Sequence, residues 1–559
     1  LKSSVSLPAA YRLEFWARGP GSIRFSEADA VLWQVPAFSG HVDFFSYQHR
    51  EAGSVTVEWQ RSDAILWAYG YDPATVAETG ITIWEFGEDG LTLRTKPEID
   101  ASMRADPARP IMHFSPPRQW MNDPNGLCRI GETWHLFYQF HPAGTEWGPM
   151  HWGHAVSKDL FNWTHLPVFL HPEQNLWRLE ATGGAFSGSA FADRDGSRMF
   201  FYTERLPAYD LFQGYREVQK LARPRRDVLH ASSSDTVIAL GPEGQGVEHD
   251  FRDPKVWWDE AVGAYRMVLG AALHGDPAVL LYGSDNLSDW TYLGPLYRAP
   301  AHYREHGARA VECPDFFPLD GKWVMVMGFV GYTEPATGRH NLLFARVGEF
   351  KGDRFVPDID ELQILDFGTD YYAMQSVEAE GRQIALAWLF NWESRKPAGS
   401  PYSGEMSLPR QLSLDSSGRL RMQPVTELDD AWLAYPLARE HDGSFLLGDA
   451  PFELRLTGNL DGTRIVATES GELSFELSVS DGRLSVRLAE DDGKIRYEAA
   501  CASATDLRVI YDRGILEVFA DNGAVCGTRR SYTNVAPDRV EVTSASQLTV
   551  SERRAVQQP

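Results

Sequence analysis

Five times between residues 131 and 388 a glycine turn launches a strand rich in aromatic and β-branched residues. Gly131 precedes Trp134-His135-Leu136-Phe137-Tyr138, Gly196 precedes Met199-Phe200-Phe201-Tyr202, and Gly263 precedes Tyr265-Arg266-Met267-Val268-Leu269. Gly321 precedes Trp323-Val324-Met325-Val326-Met327, and Gly381 precedes Ile384-Ala385-Leu386-Ala387-Trp388. By subtraction the glycines stand 65, 67, 58 and 60 residues apart. A unit of that length cannot bury both faces of its own small sheet, so five in succession predict five propeller blades closing into a ring. Ser157-Lys158-Asp159-Leu160-Phe161-Asn162-Trp163 echoes Ser284-Asp285-Asn286-Leu287-Ser288-Asp289-Trp290 within the same stretch. Turn-plus-strand units recur in other large all-β proteins too, and spacing alone leaves that alternative open.

Both flanks also read as β. Val55, Val57 and Trp59 alternate with polar residues, and Leu91 and Leu93 follow a turn at Gly90. Leu473, Phe475, Leu477 and Val479 alternate up to Asp481-Gly482, a pair suited to a tight hairpin turn, and Leu484, Val486 and Leu488 alternate back. The expected fold is all-β in three domains: a β-rich, sandwich-like N-terminal domain over 1–105, a propeller over 106–425 and a C-terminal β-sandwich over 426–559. A short helix near Thr426 to Leu433 is expected to join the last two. In the first domain Trp33, Trp59, Trp67 and Trp84 suit core packing better than sugar binding.

The 559 residues carry 77 acidic against 53 basic side chains, a net charge of -24. Nucleic acid and anionic membrane surfaces need clustered Lys and Arg, so that balance argues against both and is indifferent to a neutral sugar. Cys128, Cys313, Cys501 and Cys526 form no metal-type spacing with histidine, and no cofactor or metal is expected. Cys128 and Cys313 read as reduced core residues; pairing of Cys501 with Cys526 is left open, with unpaired thiols favoured.

Three acidic motifs carry the chemistry: Trp120-Met121-Asn122-Asp123-Pro124-Asn125-Gly126, Phe251-Arg252-Asp253-Pro254-Lys255 and Glu312-Cys313-Pro314-Asp315-Phe316. Each is expected to set its carboxylate where a tight turn passes into a strand, so that all three converge at one end of the ring. In this order the motifs resemble glycoside hydrolase family 32, the invertases, levanases and inulinases. The likeness extends to Phe137-Tyr138-Gln139, Glu146-Trp147-Gly148, His151-Trp152-Gly153-His154-Ala155, Phe186-Ser187-Gly188-Ser189, Asp366-Phe367-Gly368-Thr369-Asp370-Tyr371-Tyr372 and Met406-Ser407-Leu408-Pro409-Arg410. The first hundred residues share none of it.

The resemblance implies a five-bladed propeller with a β-sandwich behind it, and a retaining β-fructofuranosidase acting on sucrose or short fructans. It implies Asp123 as nucleophile, Glu312 as acid/base and Asp253 as transition-state stabiliser. Arg252 is expected to hold the charge of Asp253, Asn122, Gln139 and Ser187 to bind hydroxyls, and Trp147, Trp152 and Phe186 to form an apolar wall. A proton donor at neutral pH needs a raised pKa, and Val311, Phe316 and Phe317 are expected to supply the desolvation, with the charges of Asp123 and Asp253 acting in the same direction. Retention places the carboxyls of Asp123 and Glu312 about 5–5.5 Å apart.

Three stretches depart from the family pattern: Phe140-His141-Pro142, Glu204 after Phe201-Tyr202-Thr203, and Tyr402-Ser403-Gly404-Glu405. They leave substrate length and the balance of hydrolysis against fructosyl transfer open, with His141 and Glu204 either subsite residues or loop polarity. The rival functions are a levan- or inulin-specific fructanase or fructotransferase, a fructan-binding propeller without catalysis, and an arabinan-cleaving propeller. The expected partner is a sugar or oligosaccharide, and oligomeric state is not encoded. By analogy alone the protein is expected outside the cell, with the cytoplasm as the alternative.

Overall fold

The five glycines that punctuate the middle of the chain take left-handed φ values between 60° and 83°. A Cβ at any of them would meet nothing within 4 Å, so the sign of φ rather than crowding selects glycine. Each turn joins the first and second strands of one sheet. In the computed structural model the chain is described except at residues 29, 173–175, 212, 390–395, 431, 436–437, 441–443, 449–450, 502–503, 533–535, 545–548 and 558–559.

The first strands of the five successive sheets are β1 (Gln119–Ile130), β2 (Gly184–Ala192), β3 (Val247–Asp259), β4 (Ala310–Leu319) and β5 (Tyr372–Ala379). Each packs against the next, and β5 packs back against β1, which closes the propeller. A short late strand, Tyr402–Ser403, pairs in parallel with Gln119 and Trp120 at the start of β1 and ties the end of the ring to its beginning. The echoed segments are one turn used twice. Ser157 and Ser284 each accept from the backbone N–H of Leu160 and Leu287 at 2.9 Å, and Trp163 and Trp290 each donate from the indole to the carbonyl of those leucines at 3.0 Å.

Ahead of the propeller stand two antiparallel sheets of four and five strands. Trp59, Trp67 and Trp84 are buried there and Trp33 packs against the same core, so these indoles are structural. The core is continuous with the propeller: Trp16, Tyr69 and Tyr71 share one cluster with Met121, Leu127 and Leu136. A helix over Lys96–Ala105 follows, closed by a capping box between Thr95 and Glu98 with proline in the first turn. The helix departs from the β-rich expectation for residues 1–105, and Thr95-Lys96-Pro97-Glu98 is its signal in the sequence.

Behind the propeller, sheets of six and seven strands form the sandwich. The expected hairpin is present, with Ser480 opposite Arg483 and Asp481 and Gly482 at φ 52° and 68°. The linking helix is shorter than expected, Glu427–Asp430, because a strand begins at Trp432. All four cysteines are free and buried.

Sandwich and propeller share an apolar core and a buried ionic lock. Ile510, Ile515 and Phe519 pack with Leu408 and Leu412. The Asp512 carboxylate accepts from the backbone N–H of Ile111 at 2.9 Å and of Met112 at 2.7 Å, and bonds His113 Nδ1 at 2.8 Å. Glu517 meets His113 Nε2 at 3.3 Å, the N–H of Leu408 at 2.9 Å and the Arg410 guanidinium at 3.1 Å. The segments around Asp366 and Arg410 that resemble the family therefore serve this junction: Arg410 bonds Asp366 at 3.3 Å and Thr528 at 2.6 Å.

Candidate active site

All five innermost strands slip register at the same end of the ring. The shifts fall between Met121 and Pro124, Ala185 and Gly188, Arg252 and Lys255, Glu312 and Asp315, and Tyr372 and Gln375. A bulge leaves residues outside the ladder and turns their side chains, and here it frees Asn122 and Asp123, Phe186 and Ser187, Asp253, and Cys313. The three acidic motifs are thus bulges inside long strands, not turns at their ends. Pro254 and Pro314, which lack an N–H, sit where the ladder is broken anyway, and Pro124 where it resumes opposite Tyr138. Asp253 and Cys313 take positive φ, 65° and 46°, within those bulges.

The bulges converge on a pocket of about 380 Å³ that contains Asp123, Asp253 and Glu312 together with Asn122, Gln139, Trp147, Phe186, Ser187 and Arg252. Ser187 donates to Asp123 Oδ2 at 2.6 Å, and Asn122 donates to Oδ1 at 3.1 Å while accepting from the Trp120 indole at 2.8 Å. The N–H of Cys313 donates to Asp253 Oδ2 at 2.8 Å, so the third motif holds the carboxylate of the second. The thiol of Cys313 lies 3.5 Å from Asp123 Oδ2 and links the first.

Arg252 stands differently from expectation. Of the three motif carboxylates it bonds Glu312, at Oε1 2.8 Å away, whereas its Nε is 3.8 Å from Asp253. Asp250 and Glu217 anchor its other nitrogen. Tyr372 donates to Glu312 Oε2 at 2.8 Å. The apolar residues nominated to desolvate Glu312 pack elsewhere: Val311 and Phe316 lie in one core and Phe317 in another, on opposite faces of β4. Trp152 also lies outside the pocket. It is fully buried among Phe137, Phe200 and Tyr202, and its indole donates to the Phe186 carbonyl at 2.9 Å, which supports the bulge from behind. His141 and Glu204 are buried and line no part of the pocket; His141 Nδ1 bonds the Glu146 carbonyl at 2.8 Å, beneath the loop that carries Trp147.

Sequence reasoning missed Arg205, Tyr215, Asp250, Arg309, Tyr372 and Trp388, all of which line the pocket. Tyr372 was signalled, since it ends the Asp366–Tyr372 segment; Trp388 stood only in the blade repeat, as a strand residue, and Arg309 carried no motif.

Burial raises the pKa of Asp123, and the charge of Glu312 adds to it against hydrogen bonds from Ser187, Asn122 and Cys313. Burial likewise lifts Asp253 to about 7, with Asp123 and Glu312 adding and Arg252 and the Cys313 N–H opposing. At about 7, Asp253 is partly protonated near neutral pH. Tyr372→Phe removes one charge-assisted donor from Glu312, so kcat is expected to fall about 10- to 100-fold with KM changed far less. A pH–rate profile displaced from that of the wild type separates this loss from simple destabilisation.

The family model for the glycosyl hydrolases family 32 N-terminal domain matches residues 113–424, and that for the C-terminal domain matches 450–556. A levanase of Bacillus subtilis is 32% identical over 483 residues, 76% of this chain and 66% of the levanase. A sucrose-6-phosphate hydrolase of Zymomonas mobilis is 38% identical over 336 residues, 57% of this chain and 62% of the hydrolase. The chain thus spans about two thirds of the length of these relatives. Among solved structures, a glycoside hydrolase family 32 protein from Bifidobacterium adolescentis superimposes with a TM-score of 0.87 at 25% identity, covering 100% of this chain and 99% of that one, the N-terminal sheets included. A β-fructofuranosidase of Bombyx mori gives 0.71 at 28% identity over 82% of this chain and 97% of its own. Family models that together span the propeller and the sandwich place this chain in glycosyl hydrolase family 32.

Proposed function

We propose that this chain is a retaining β-fructofuranosidase that releases terminal fructosyl units from sucrose or short fructans. The observation that carries the reading is the convergence of Asp123, Asp253 and Glu312 in one pocket, each held there by a hydrogen bond, from Ser187, the Cys313 N–H and Arg252 respectively. Asp123 attacks C2 of the fructosyl ring as the C2–O bond breaks, and Glu312 gives its proton to the departing oxygen. Water then attacks C2 of the fructosyl-Asp123 ester, Glu312 takes the proton, and the Asp123 carboxylate leaves. Asp253 accepts hydrogen bonds from ring hydroxyls, which hold tighter as positive charge builds on the ring. Asn122, Gln139 and Ser187 bind further hydroxyls, and Trp147 and Phe186 meet a ring face. An acceptor sugar in the place of water turns the same intermediate into a longer oligosaccharide.

Charge in the pocket favours a neutral substrate over a phosphorylated one. Asp123, Asp250, Asp253 and Glu312 oppose Arg205, Arg252 and Arg309 there. Arg205 is committed to Glu217 at 2.8 Å and Arg252 to Glu312, which sets Arg309 against four carboxylates where a phosphate would lie. The deciding experiment follows free glucose and free fructose from concentrated sucrose, with sucrose 6-phosphate in parallel. Equal release on sucrose is the expected result; glucose in excess, with oligosaccharides accumulating, means transfer. No release from sucrose or from fructo-oligosaccharides would remove the reading.

A further inference from the structure

The N-terminal domain meets the propeller across a cavity of about 350 Å³ that shares no residue with the carboxylate pocket. Strand register builds its N-terminal wall. Arg12, Glu14 and Trp16 share one face of the strand Arg12–Ala17, and pairing with the strand Asp43–Gln48 sets Ser46 opposite Glu14 and Phe44 opposite Trp16. Arg12, Glu14, Phe44 and Ser46 line the cavity. The propeller supplies Arg225 and His230, at the two ends of a turn closed by the Arg225 N–H on the His230 carbonyl at 2.7 Å, and then Ser232, Ser233 and Ser234.

The propeller side of this cavity runs against the charge of the rest of the chain. In a protein of net charge -24, Lys220, Arg223, Arg225 and Arg226 fall within seven residues, with three successive serines soon after. Arg223 pairs with Asp235, whereas among the described residues Arg12 and Arg225 form no ion pair. The Arg12 Nε–H is shut off from water and meets no acceptor. Burial lowers the His230 pKa, and the charges of Arg12 and Arg225 lower it further, against Glu14 and the Val168 carbonyl, so both guanidinium groups bear on one point of the wall. Glu14, the carboxylate in the cavity, is already occupied: Tyr69 and Tyr71 donate to it at 2.6 and 2.9 Å. Two cations facing each other across a domain junction, with hydroxyls beside them, suit an oxyanion held by charge-assisted hydrogen bonds. The space exceeds what a bare ion fills, and Phe44, 39% exposed with its ring 4.5 Å from that of His171, offers an apolar face to the remainder of a ligand.

We propose that this junction cavity binds a sugar phosphate, with Arg12 and Arg225 holding the phosphate, the serine hydroxyls beside it and the sugar ring on Phe44. Arg12 belongs to the N-terminal sheets and Arg225 to the propeller, so the ligand clamps one domain to the other and stabilises the chain by its own binding energy. The site is separate from the carboxylate pocket and stands or falls independently of the β-fructofuranosidase reading.

Calorimetric titration of the full chain with glucose 6-phosphate and with inorganic phosphate tests it. Glucose 6-phosphate is expected to bind with a Kd below about 1 mM and to raise the melting temperature, and inorganic phosphate to bind about tenfold more weakly. Arg225 is exposed on its turn, so Arg225→Glu is expected to fold, to leave sucrose turnover unchanged and to weaken glucose 6-phosphate binding at least about tenfold. Arg12→Gln is expected to weaken it as much, and if that variant does not fold, Arg225→Glu decides alone. No binding by the wild type below about 10 mM, or an affinity unmoved by Arg225→Glu, overturns the site. Inorganic phosphate that binds as tightly as glucose 6-phosphate overturns the sugar half of the assignment.

Discussion

Asp123→Asn is expected to lower kcat on sucrose roughly 10⁴-fold or more while leaving the protein folded and at least as stable as the wild type. The loss follows from the missing nucleophile, because an amide cannot form the fructosyl ester. Shape and hydrogen bonding are largely retained. The Asn122 side chain still faces Oδ1, and the Ser187 hydroxyl, now 2.6 Å from Oδ2, can reverse and accept from an amide. Stability should not fall, since burial and the charge of Glu312 already hold the Asp123 pKa up and the ionised form is the unfavourable one in the empty pocket. A carboxyl whose pKa is higher folded than unfolded destabilises the fold as pH rises through that range, and a neutral amide removes the cost. The measurement pairs initial rates of glucose release with thermal melting at pH 7. Retention of more than about one per cent of wild-type kcat would transfer the nucleophile to another group, with Asp253 next in line. A collapse in melting temperature would instead make the Ser187–Asp123–Asn122 chain structural.

Much of this arrangement was legible in the sequence, for identifiable reasons. The blades were readable because each inner hairpin needs a left-handed turn residue, which exposes Gly131, Gly196, Gly263, Gly321 and Gly381 as a spaced series. Asp123, Asp253 and Glu312 were readable through short motifs, since each is surrounded by the residues that shape its bulge. What those motifs look like locally was misleading. Asn-Asp-Pro-Asn-Gly has the composition of a turn, yet ring closure draws it into β1 and expresses the same backbone preferences as a register slip. Trp152 misled in another way, because an aromatic beside a site motif has the same letters whether it meets the ligand or braces the strand behind it. Arg309 and Trp388 come from distant parts of the chain, and only tertiary packing brings them to the site. The arms of Arg252 illustrate the limit: adjacency in sequence suggested Asp253, while geometry gave Glu312.

Asp512→Asn is expected to destabilise the protein by about 3–5 kcal/mol at pH 6, the cost of breaking a buried ionic group by removing one partner. Asp512 accepts from the backbone N–H groups of Ile111, Met112 and His113 and bonds the His113 ring with no exposure to water, so nothing replaces the lost charge. The penalty should depend on pH in a defined direction. Burial alone would pull the His113 pKa down, but hydrogen bonds and charge from Asp512 and Glu517 outweigh it and hold the imidazole at about 9, above its ordinary 6.5. A histidine whose folded pKa is raised contributes stability that is complete below the unfolded value and disappears as pH climbs through the folded one. From 6.5 to about 9 that contribution is worth about 3 kcal/mol at most. The difference in unfolding free energy between wild type and Asp512→Asn is therefore expected to be largest near pH 6 and to shrink by pH 9.5. Taking the difference matters, because Lys396, lowered to about 7 by burial, and Asp370, raised to about 8 by burial, titrate over overlapping ranges in both proteins and cancel. Denaturant unfolding at the two pH values measures it, and a penalty that is flat from pH 6 to 9.5 would show that His113 is neutral in the folded protein.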